Sequence, residues 1–165
     1  MGGKALNGKT ITNNNAYDLF KKIVDSNNLK DKSKKILLCG SARRGKNTCG
    51  DLDIVFIDDK NNSLKHWLSE VFGFKKNGKP QTVGLIDGVQ IEFYESTEEC
   101  WGSQVLMWTG SASNNIRLRR ICKKRGWTMS QYGIKDSTKR NLTSGMSEQE
   151  IYTFLGIEYL EPEER

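Results

Sequence analysis

Two stretches decide the fold of this chain: Gly40-Ser41-Ala42-Arg43-Arg44-Gly45 and, a few residues later, Gly50-Asp51-Leu52-Asp53-Ile54-Val55. An apolar run from Ile36 to Cys39 precedes the first stretch and predicts a buried strand that stops at Gly40. The second stretch alternates, so Leu52 and Ile54 share one face of a predicted strand while Asp51, Asp53 and Val55 share the other. The sequence therefore predicts two neighbouring carboxylates on one strand face.

The elements on either side follow from spacing and turn signals. Helical spacing of apolar residues predicts one helix capped by Asn15 and another capped by Ser63 and ended by Gly73. The second helix would bury Leu64, Trp67, Leu68 and Val71 on one stripe. Asp87-Gly88 is a hairpin turn signal between predicted strands at 82–86 and 89–94, and a lysine-rich linker is predicted at 30–35.

After residue 95 the pattern becomes mostly helical. The predicted elements are helices at 101–108 and 114–125, a short strand around Tyr132, a hairpin near 139–142 and a last helix. Ser147 to Glu150 forms a capping box for that last helix, and Gly156 ends it. We therefore predict an α/β (α+β) fold with a small mixed sheet in residues 1–100, followed by a helical subdomain with a short hairpin in residues 101–165.

Composition limits the classes of function. The chain has 165 residues, a net charge of +6 and 36% hydrophobic residues, and its isoelectric point near 9.1 favours a polyanionic partner such as nucleic acid. No stretch approaches the roughly 20 apolar residues of a membrane span, and the N-terminus lacks a signal-peptide core. We expect no membrane partner and a place in the cytosol or nucleus. Four widely spaced cysteines and one histidine argue against a zinc site or a disulfide framework.

The paired carboxylates suit phosphoryl transfer from a nucleotide. That chemistry uses two divalent ions roughly 3.5–4 Å apart, and an Asp-x-Asp strand offers ligands to both. A glycine-serine turn before a helix can hold phosphate oxygens, with Arg43 and Arg44 adding positive charge. Asp-x-Asp alone is more typical of a solvated strand edge, and the glycine-serine turn at this spacing favours the catalytic interpretation instead.

The combination resembles the nucleotidyltransferases of the DNA polymerase beta superfamily, and specifically the family X DNA polymerases. The resemblance runs from about residue 36 to the end, in the family's order. It is carried by the stretches Gly40–Gly45, Trp108–Ser111, Asn115–Arg120, Gln131–Ile134, Glu150–Tyr152 and Glu161–Arg165. The residues before Ile36 leave no room for the family's N-terminal lyase and helix-hairpin-helix elements. The chain is therefore similar to the minimal viral members, which suggests a virus-encoded protein.

The resemblance implies a nucleotidyltransferase palm in residues 1–100 and a set of catalytic metal ligands. Asp51, Asp53 and Glu92 match the three carboxylates that hold two Mg²⁺ ions, with Mn²⁺ as a substitute. At Glu92 the family usually has aspartate, and the extra methylene displaces the carboxylate by about 1 Å. A reduced rate or a preference for Mn²⁺ is our hypothesis. Glu95 is a weaker candidate.

The resemblance also implies contacts to nucleotide and DNA. The residues that match nucleotide-binding positions are Gly40, Ser41, Arg44, Gly50, Trp108, Thr109, Gly110 and Asn115. Arg119 matches a template contact, and Arg117, Arg120 and Lys124 share a helix face that could contact phosphates. Trp108 resembles the tryptophan of polymerase mu and terminal transferase, which would permit ribonucleotides, and it also suits a core aromatic at a helix end.

We expect a monomer that takes dNTP and primer-template or gapped DNA, and adds a deoxynucleotide to a primer 3′-hydroxyl, as in short-gap repair. Two alternatives stay open. One is a minimal nucleotidyltransferase acting on a non-DNA acceptor, because Gly-Ser and Asp-x-Asp serve those enzymes too. The other is a catalytically impaired protein that binds DNA ends, which Glu92 and the basic helix would suit.

Overall fold

The computed structural model describes residues 7–73 and 81–165, which fall into two units, Met1–Ser96 and Thr97–Arg165. The first unit contains β1 (Ile11–Thr12), α1 (Asn13–Ser26), β2 (Ser33–Leu38), α2 (Gly40–Arg43), β3 (Thr48–Cys49), β4 (Asp51–Asp58), α3 (Ser63–Phe72), β5 (Gln81–Ile86) and β6 (Val89–Glu95). The second contains α4 (Trp101–Thr109), α5 (Ala112–Lys124), β7 (Thr128–Ser130), β8 (Gly133–Lys135), α6 (Glu148–Phe154) and a 3₁₀ turn (Pro162–Glu164). The boundary drawn from the sequence, between residues 100 and 101, lies slightly further along the chain.

The alternating stretch forms the central part of a four-stranded sheet in the order β2-β4-β6-β5. The pairs β2·β4 and β5·β6 are antiparallel, whereas β4 and β6 run parallel, so the sheet is mixed as predicted. The apolar face of β4 is fully buried with Leu52 and Ile54, against residues of α1 and α3 that include Ala16 and Leu64. The opposite face of the same strand carries the aspartates, which remain partly accessible.

The second unit has its own core under the helices. The buried side chains belong to α4, α5, β7, β8 and α6 and include Leu106, Leu118, Ile134 and Ile151. The predicted capping box is present, since the Ser147 hydroxyl accepts a bond from the Glu150 backbone and the Glu150 carboxylate accepts one from the Ser147 backbone. Among the described residues, no helix is long and apolar enough to cross a membrane. The α/β (α+β) fold class is confirmed.

Several local predictions were wrong. Helix α1 is capped by Thr12 and not by Asn15. At α3 the backbone N–H groups of Leu64 and Lys65 donate to the Asp58 carboxylate, so that acid does the capping that the sequence assigned to Ser63. Val71, predicted on the buried stripe, is 49% exposed. The Asp58 carboxylate therefore accepts the hydrogen bonds of the first turn of α3. The sequence pattern had indicated only the hydroxyl of Ser63 as the cap.

Two further elements differ from the sequence pattern. The linker predicted at 30–35 ends inside an edge strand, because β2 begins at Ser33 and includes the exposed Lys34 and Lys35. The C-terminal hairpin is β7·β8, with Tyr132 in its turn, and residues 139–142 contribute a single bridge from Asn141 to Lys135. The turn consists of Gln131 and Tyr132 and leads into Gly133. Gly133 has a φ of +116°, a value that favours glycine.

Candidate active site and nucleic-acid surface

The parallel pairing of β4 with β6 brings the three predicted catalytic carboxylates to one face of the sheet. Asp53 lies opposite Glu92 in the register, and Asp51 lies opposite Gln90. Alternate residues of a strand point to the same side, so Asp51, Asp53 and Glu92 share the polar face. Glu92 acts electrostatically on both aspartates, which shows that the three charges are close. This arrangement is consistent with the sequence-based prediction that the three carboxylates lie close together.

Gly40 provides the space beside Asp53. It opens α2 directly after β2 with a φ of +60°, and a Cβ placed on it would overlap the Asp53 carboxylate oxygen Oδ2. The backbone N–H of Cys39 donates to the Asp53 carbonyl at 2.7 Å, which ties the entry of α2 to β4. Only a residue without a side chain permits this approach. The glycine-serine turn and the aspartate strand are therefore one local structure.

Burial and neighbouring negative charge together raise the pKa values of the aspartates on this face. Burial, followed by the charges of Asp51 and Glu92, raises the pKa of Asp53 to about 7, against the lowering effects of the Tyr94 hydrogen bond and of Arg44. Burial and the charge of Glu92 also raise the pKa of Asp51, while Arg44 lowers it. Arg44 is thus the positive group whose charge reaches both aspartates. The face as a whole stabilises added positive charge.

The Glu92 carboxylate is held by three neutral donors. Its Oε1 accepts a bond from Gln90 Nε2 at 2.6 Å, and its Oε2 accepts bonds from Gln81 Nε2 at 2.5 Å and from the Tyr94 hydroxyl. The Tyr94 hydroxyl also lies 3.3 Å from Asp53 Oδ1. Glu95, the weaker candidate, forms an ion pair with Lys65 at 2.9 Å.

Asp51 and Asp53 fit a divalent cation by their chemistry. They are adjacent hard oxygen ligands whose pKa values are raised by burial and by neighbouring negative charge. Glu92 is engaged elsewhere in this arrangement, and within residues 7–73 and 81–165 no group of three or more histidine, cysteine, aspartate or glutamate side chains is arranged to hold a metal ion. The aspartate pair therefore fits, and Glu92 as the third ligand stays a prediction.

The other residues of the first unit that are predicted to bind the triphosphate lie around α2. Ser41 is partly buried in the first turn of this helix, Arg44 is partly buried just after its end, and Gly50 is exposed immediately before β4. Gly50 has open space where a Cβ would be. These positions put polar groups and accessible backbone next to the aspartates, and their contacts to a nucleotide stay predictions.

The residues of the second unit that are predicted to bind the nucleotide lie at the junction of α4 and α5. Trp108 donates from Nε1 to Gln104 Oε1 at 2.7 Å, Thr109 is fully buried, and Gly110 follows with a φ of +69°. Asn115 donates from Nδ2 to the Met107 carbonyl at 2.9 Å, and its Oδ1 is buried with no hydrogen-bond partner among the described residues. A buried acceptor without a donor is unfavourable, so this oxygen is suited to a ligand donor.

Helix α5 presents a cationic surface. It contains arginines and lysines and no acidic residue, and all four predicted DNA-contacting residues on it are exposed. An open groove of about 490 Å³ on this helix is lined by Ser113, Ile116, Arg117, Arg120, Ile121 and Lys124. Arg119 lies elsewhere on the helix, with Nη2 at 3.8 Å from Met107 Sδ. The predicted common face therefore holds for Arg117, Arg120 and Lys124.

Sequence reasoning missed the residues that hold Glu92. The alternation of β6 already placed Gln90 and Tyr94 on the same face as Glu92, which was a usable signal. Gln81 was not recoverable in this way, since the predicted strand began at Thr82. In the structure Gln81 starts β5 and lies opposite Tyr94 in the antiparallel register.

Comparison with known proteins supplies matches along nearly the whole chain. The family model described as DNA polymerase beta palm matches residues 11–112, and the one described as DNA polymerase beta thumb matches residues 104–165. The palm match includes the strand with Asp51 and Asp53, and the thumb match includes helix α5.

Individual relatives agree with the family models. The chain is similar to Repair DNA polymerase X of African swine fever virus, with 28% identity across 97% of each chain. It is also 28% identical to DNA polymerase/3'-5' exonuclease PolX of Bacillus subtilis over 79% of this chain, and 26% identical to DNA polymerase lambda of Arabidopsis thaliana over 79% of this chain. The chain spans only 24% of the bacterial protein and 31% of the plant protein.

Proposed function

Because this chain belongs to the family X DNA polymerases, we propose that it adds deoxynucleotides to the 3′-hydroxyl of a primer, directed by a template, at short gaps in DNA. The observation that carries the proposal is the pair Asp51 and Asp53 on β4, opposite Glu92 of the parallel strand β6. The viral relative, which is named a repair polymerase, is matched over 97% of its length. That match supports the repair setting.

The bond changes are those of nucleotidyl transfer. The primer 3′-oxygen loses its proton and forms a bond to the α-phosphorus, and the bond from that phosphorus to the bridging oxygen breaks as pyrophosphate leaves. Bound Mg²⁺ or Mn²⁺ would increase the acidity of the attacking hydroxyl and neutralise the triphosphate. Asp51 and Asp53 would hold the cations, with Glu92 as the proposed third ligand.

The chain's other residues would bind and orient the substrates. Arg44, whose charge already acts on both aspartates, would bind triphosphate oxygens together with Ser41 and the backbone at Gly40 and Gly50. In the second unit, Asn115 would offer its unpartnered Oδ1 to the nucleotide, next to Trp108, Thr109 and Gly110. The exposed cations Arg117, Arg119, Arg120 and Lys124 would contact DNA, chiefly through phosphates.

The test is incorporation of each dNTP and rNTP on a one-nucleotide gapped duplex, with Mg²⁺ or Mn²⁺. We expect templated addition that is lost in Asp51→Ala and retained in Asp18→Ala, an exposed aspartate of α1. Addition that survives in Asp51→Ala would refute the assigned site. The rNTP arm tests whether Trp108 relaxes sugar selection, and the Mn²⁺ arm tests the effect of Glu92.

One alternative retains a specific observation in its favour. The Glu92 carboxylate is engaged by Gln81, Gln90 and Tyr94, which would suit a protein that binds DNA ends without catalysis. Salt-sensitive DNA binding with no incorporation under either metal would favour it. A transferase for a non-DNA acceptor is disfavoured by the match to the polymerase thumb over residues 104–165.

A further inference from the structure

A tyrosine hydroxyl lies between two of the candidate catalytic carboxylates. Tyr94 is only 5% exposed, and its hydroxyl donates to Glu92 Oε2 and lies 3.3 Å from Asp53 Oδ1. The two carboxylates belong to different strands, β6 and β4, and lie opposite each other in the register. One side chain thus links the catalytic strands on the polar face.

The register of the sheet explains why Tyr94 reaches both groups. Tyr94 is two residues beyond Glu92 on β6, so its side chain is on the same face. On the far side of β6, Gln81 of β5 lies opposite Tyr94 and donates to Glu92 Oε2 at 2.5 Å and to the Tyr94 oxygen at 3.4 Å. The Tyr94 hydroxyl is therefore contacted by Asp53 of β4 on one side of β6 and by Gln81 of β5 on the other.

These donors occupy the positions that a cation would need. A carboxylate binds a hard divalent cation through the same oxygen lone pairs that accept hydrogen bonds. Three neutral donors already use both oxygens of Glu92, and one of them, the Tyr94 hydroxyl, also contacts Asp53. A neutral donor stabilises a carboxylate without cancelling its charge, so the face keeps its attraction for cations while the oxygens are engaged.

We propose that Tyr94 is a positioning residue that holds Glu92 and Asp53 in a metal-free arrangement, so that a divalent cation must displace its hydroxyl before both carboxylates can bind. The inference rests on the proposed function, because it takes Asp51, Asp53 and Glu92 as the cation ligands. It implies that Tyr94 weakens metal binding and sets the cation concentration at which Glu92 joins the site.

The test measures Mn²⁺ binding to the full chain without DNA or nucleotide, from the electron paramagnetic resonance signal of free Mn²⁺. Tyr94→Phe removes only the hydroxyl, and we expect it to tighten Mn²⁺ binding by about tenfold, the scale of one hydrogen bond to a charged group. Tyr17→Phe, at an exposed tyrosine of α1, is the matched control and should leave the affinity unchanged. Unchanged or weaker binding in Tyr94→Phe overturns the inference.

A double-mutant cycle separates this role from a general packing effect. In a Glu92→Gln background the hydroxyl no longer competes for the Glu92 carboxylate and keeps only its longer contact to Asp53, so most of the gain from Tyr94→Phe should disappear. Gln81→Leu removes the second donor to the same oxygen and should also tighten Mn²⁺ binding, which gives a second test if Tyr94→Phe folds poorly. A gain of equal size in the Glu92→Gln background would contradict the role in holding Glu92.

The same titration distinguishes failure of the inference from failure of the proposed function. If Asp53→Ala weakens Mn²⁺ binding and neither Tyr94→Phe nor Gln81→Leu tightens it, the metal site stands and only the role of Tyr94 is overturned. If Asp53→Ala leaves Mn²⁺ binding unchanged, the proposed metal site is wrong, and the role of Tyr94 is overturned with it.

Discussion

Gly40 and Asp53 approach each other so closely that any side chain at position 40 would occupy the place of the Asp53 carboxylate. Position 40 also has a φ of +60°, where residues with a Cβ are disfavoured by about 1–2 kcal/mol. The turn that begins α2 can therefore pack against the aspartate strand only because residue 40 has no Cβ. This relationship leads directly to a first prediction.

Gly40→Ala should lower the free energy of unfolding by about 1–2 kcal/mol and displace the Asp53 carboxylate, with loss of nucleotide addition. Urea denaturation and the incorporation assay measure the two effects. Gly50→Ala is the stability control, because a Cβ at Gly50 meets nothing within 4 Å. Equal losses of stability in the two variants would contradict this explanation.

Asp53→Asn should stabilise the metal-free protein above neutral pH. Burial and the charges of Asp51 and Glu92 raise the pKa of Asp53 from 3.8 to about 7, so its stabilising contribution is complete below pH 4 and lost as the pH rises through 7. Asparagine has no such loss, and the gain at pH 8 is at most about 4 kcal/mol. Chemical denaturation in EDTA at pH 4 and pH 8 measures it, with Asp18→Asn as an exposed control. A gain that is independent of pH would be inconsistent with this origin.

Arg165→Ala should strongly destabilise the second unit. The Arg165 side chain is 0% exposed, and its Nη1 is 2.7 Å from Glu148 Oε1, while its guanidinium also lies over the rings of Tyr152 and Tyr159. Removing one partner of a buried ion pair leaves the other charge buried and costs about 3–5 kcal/mol. Arg140→Ala is the matched control, because the Arg140 side chain is 75% exposed and its pair with Asp136 should contribute less than about 1 kcal/mol. Thermal unfolding of the two variants provides the comparison.

Asp58→Ala should remove the acceptor for the first turn of α3. The Asp58 carboxylate accepts bonds from the Leu64 and Lys65 backbone at 3.0 and 3.1 Å and is 8% exposed. Loss of a capping side chain costs about 0.5–2 kcal/mol, so the midpoint of denaturation should fall. Asp58→Asn retains one acceptor oxygen and should lose less. If the alanine and asparagine variants are equally stable, the carboxylate does not cap this helix.

Arg120→Ala and Lys124→Ala should each weaken DNA binding similarly for all sequences. Both are exposed cations on the α5 groove, and each phosphate contact that is lost should reduce the slope of log affinity against log salt by about 1. Lys60→Ala, at an exposed turn of the first unit, serves as the control. Fluorescence anisotropy at several salt concentrations measures the slopes. A slope unchanged in both groove variants would exclude phosphate contacts there.

The sequence was informative wherever one local pattern determines the outcome. The alternation from Asp51 to Ile57 predicted β4, Asp87-Gly88 predicted the turn of the β5·β6 hairpin, and Ser147 to Glu150 predicted the start of α6. In each case the deciding contacts are between residues a few positions apart. Such contacts are visible in the sequence itself.

The remaining features depend on partners that are distant in the chain. The contact of Asp53 with Tyr94 requires β4 and β6 to be parallel neighbours, which no local pattern in either strand specifies. The capping of α3 by Asp58 depends on how β4 leads into the helix, and the placement of Tyr132 in a turn depends on the pairing of β7 with β8. Register and pairing are tertiary properties, so the strand faces that carry the carboxylates were predictable and the hydrogen bonds among these side chains were not.

The exposed lysines of β2 affect how the protein behaves at high concentration. Strand β2 forms one edge of the main sheet, and an open edge can pair with the edge of another molecule. Lys34 and Lys35 place two positive charges on that edge. Because two such edges would repel each other, we expect the lysines to oppose strand-to-strand aggregation, and we expect replacement of both with valine to remove that protection.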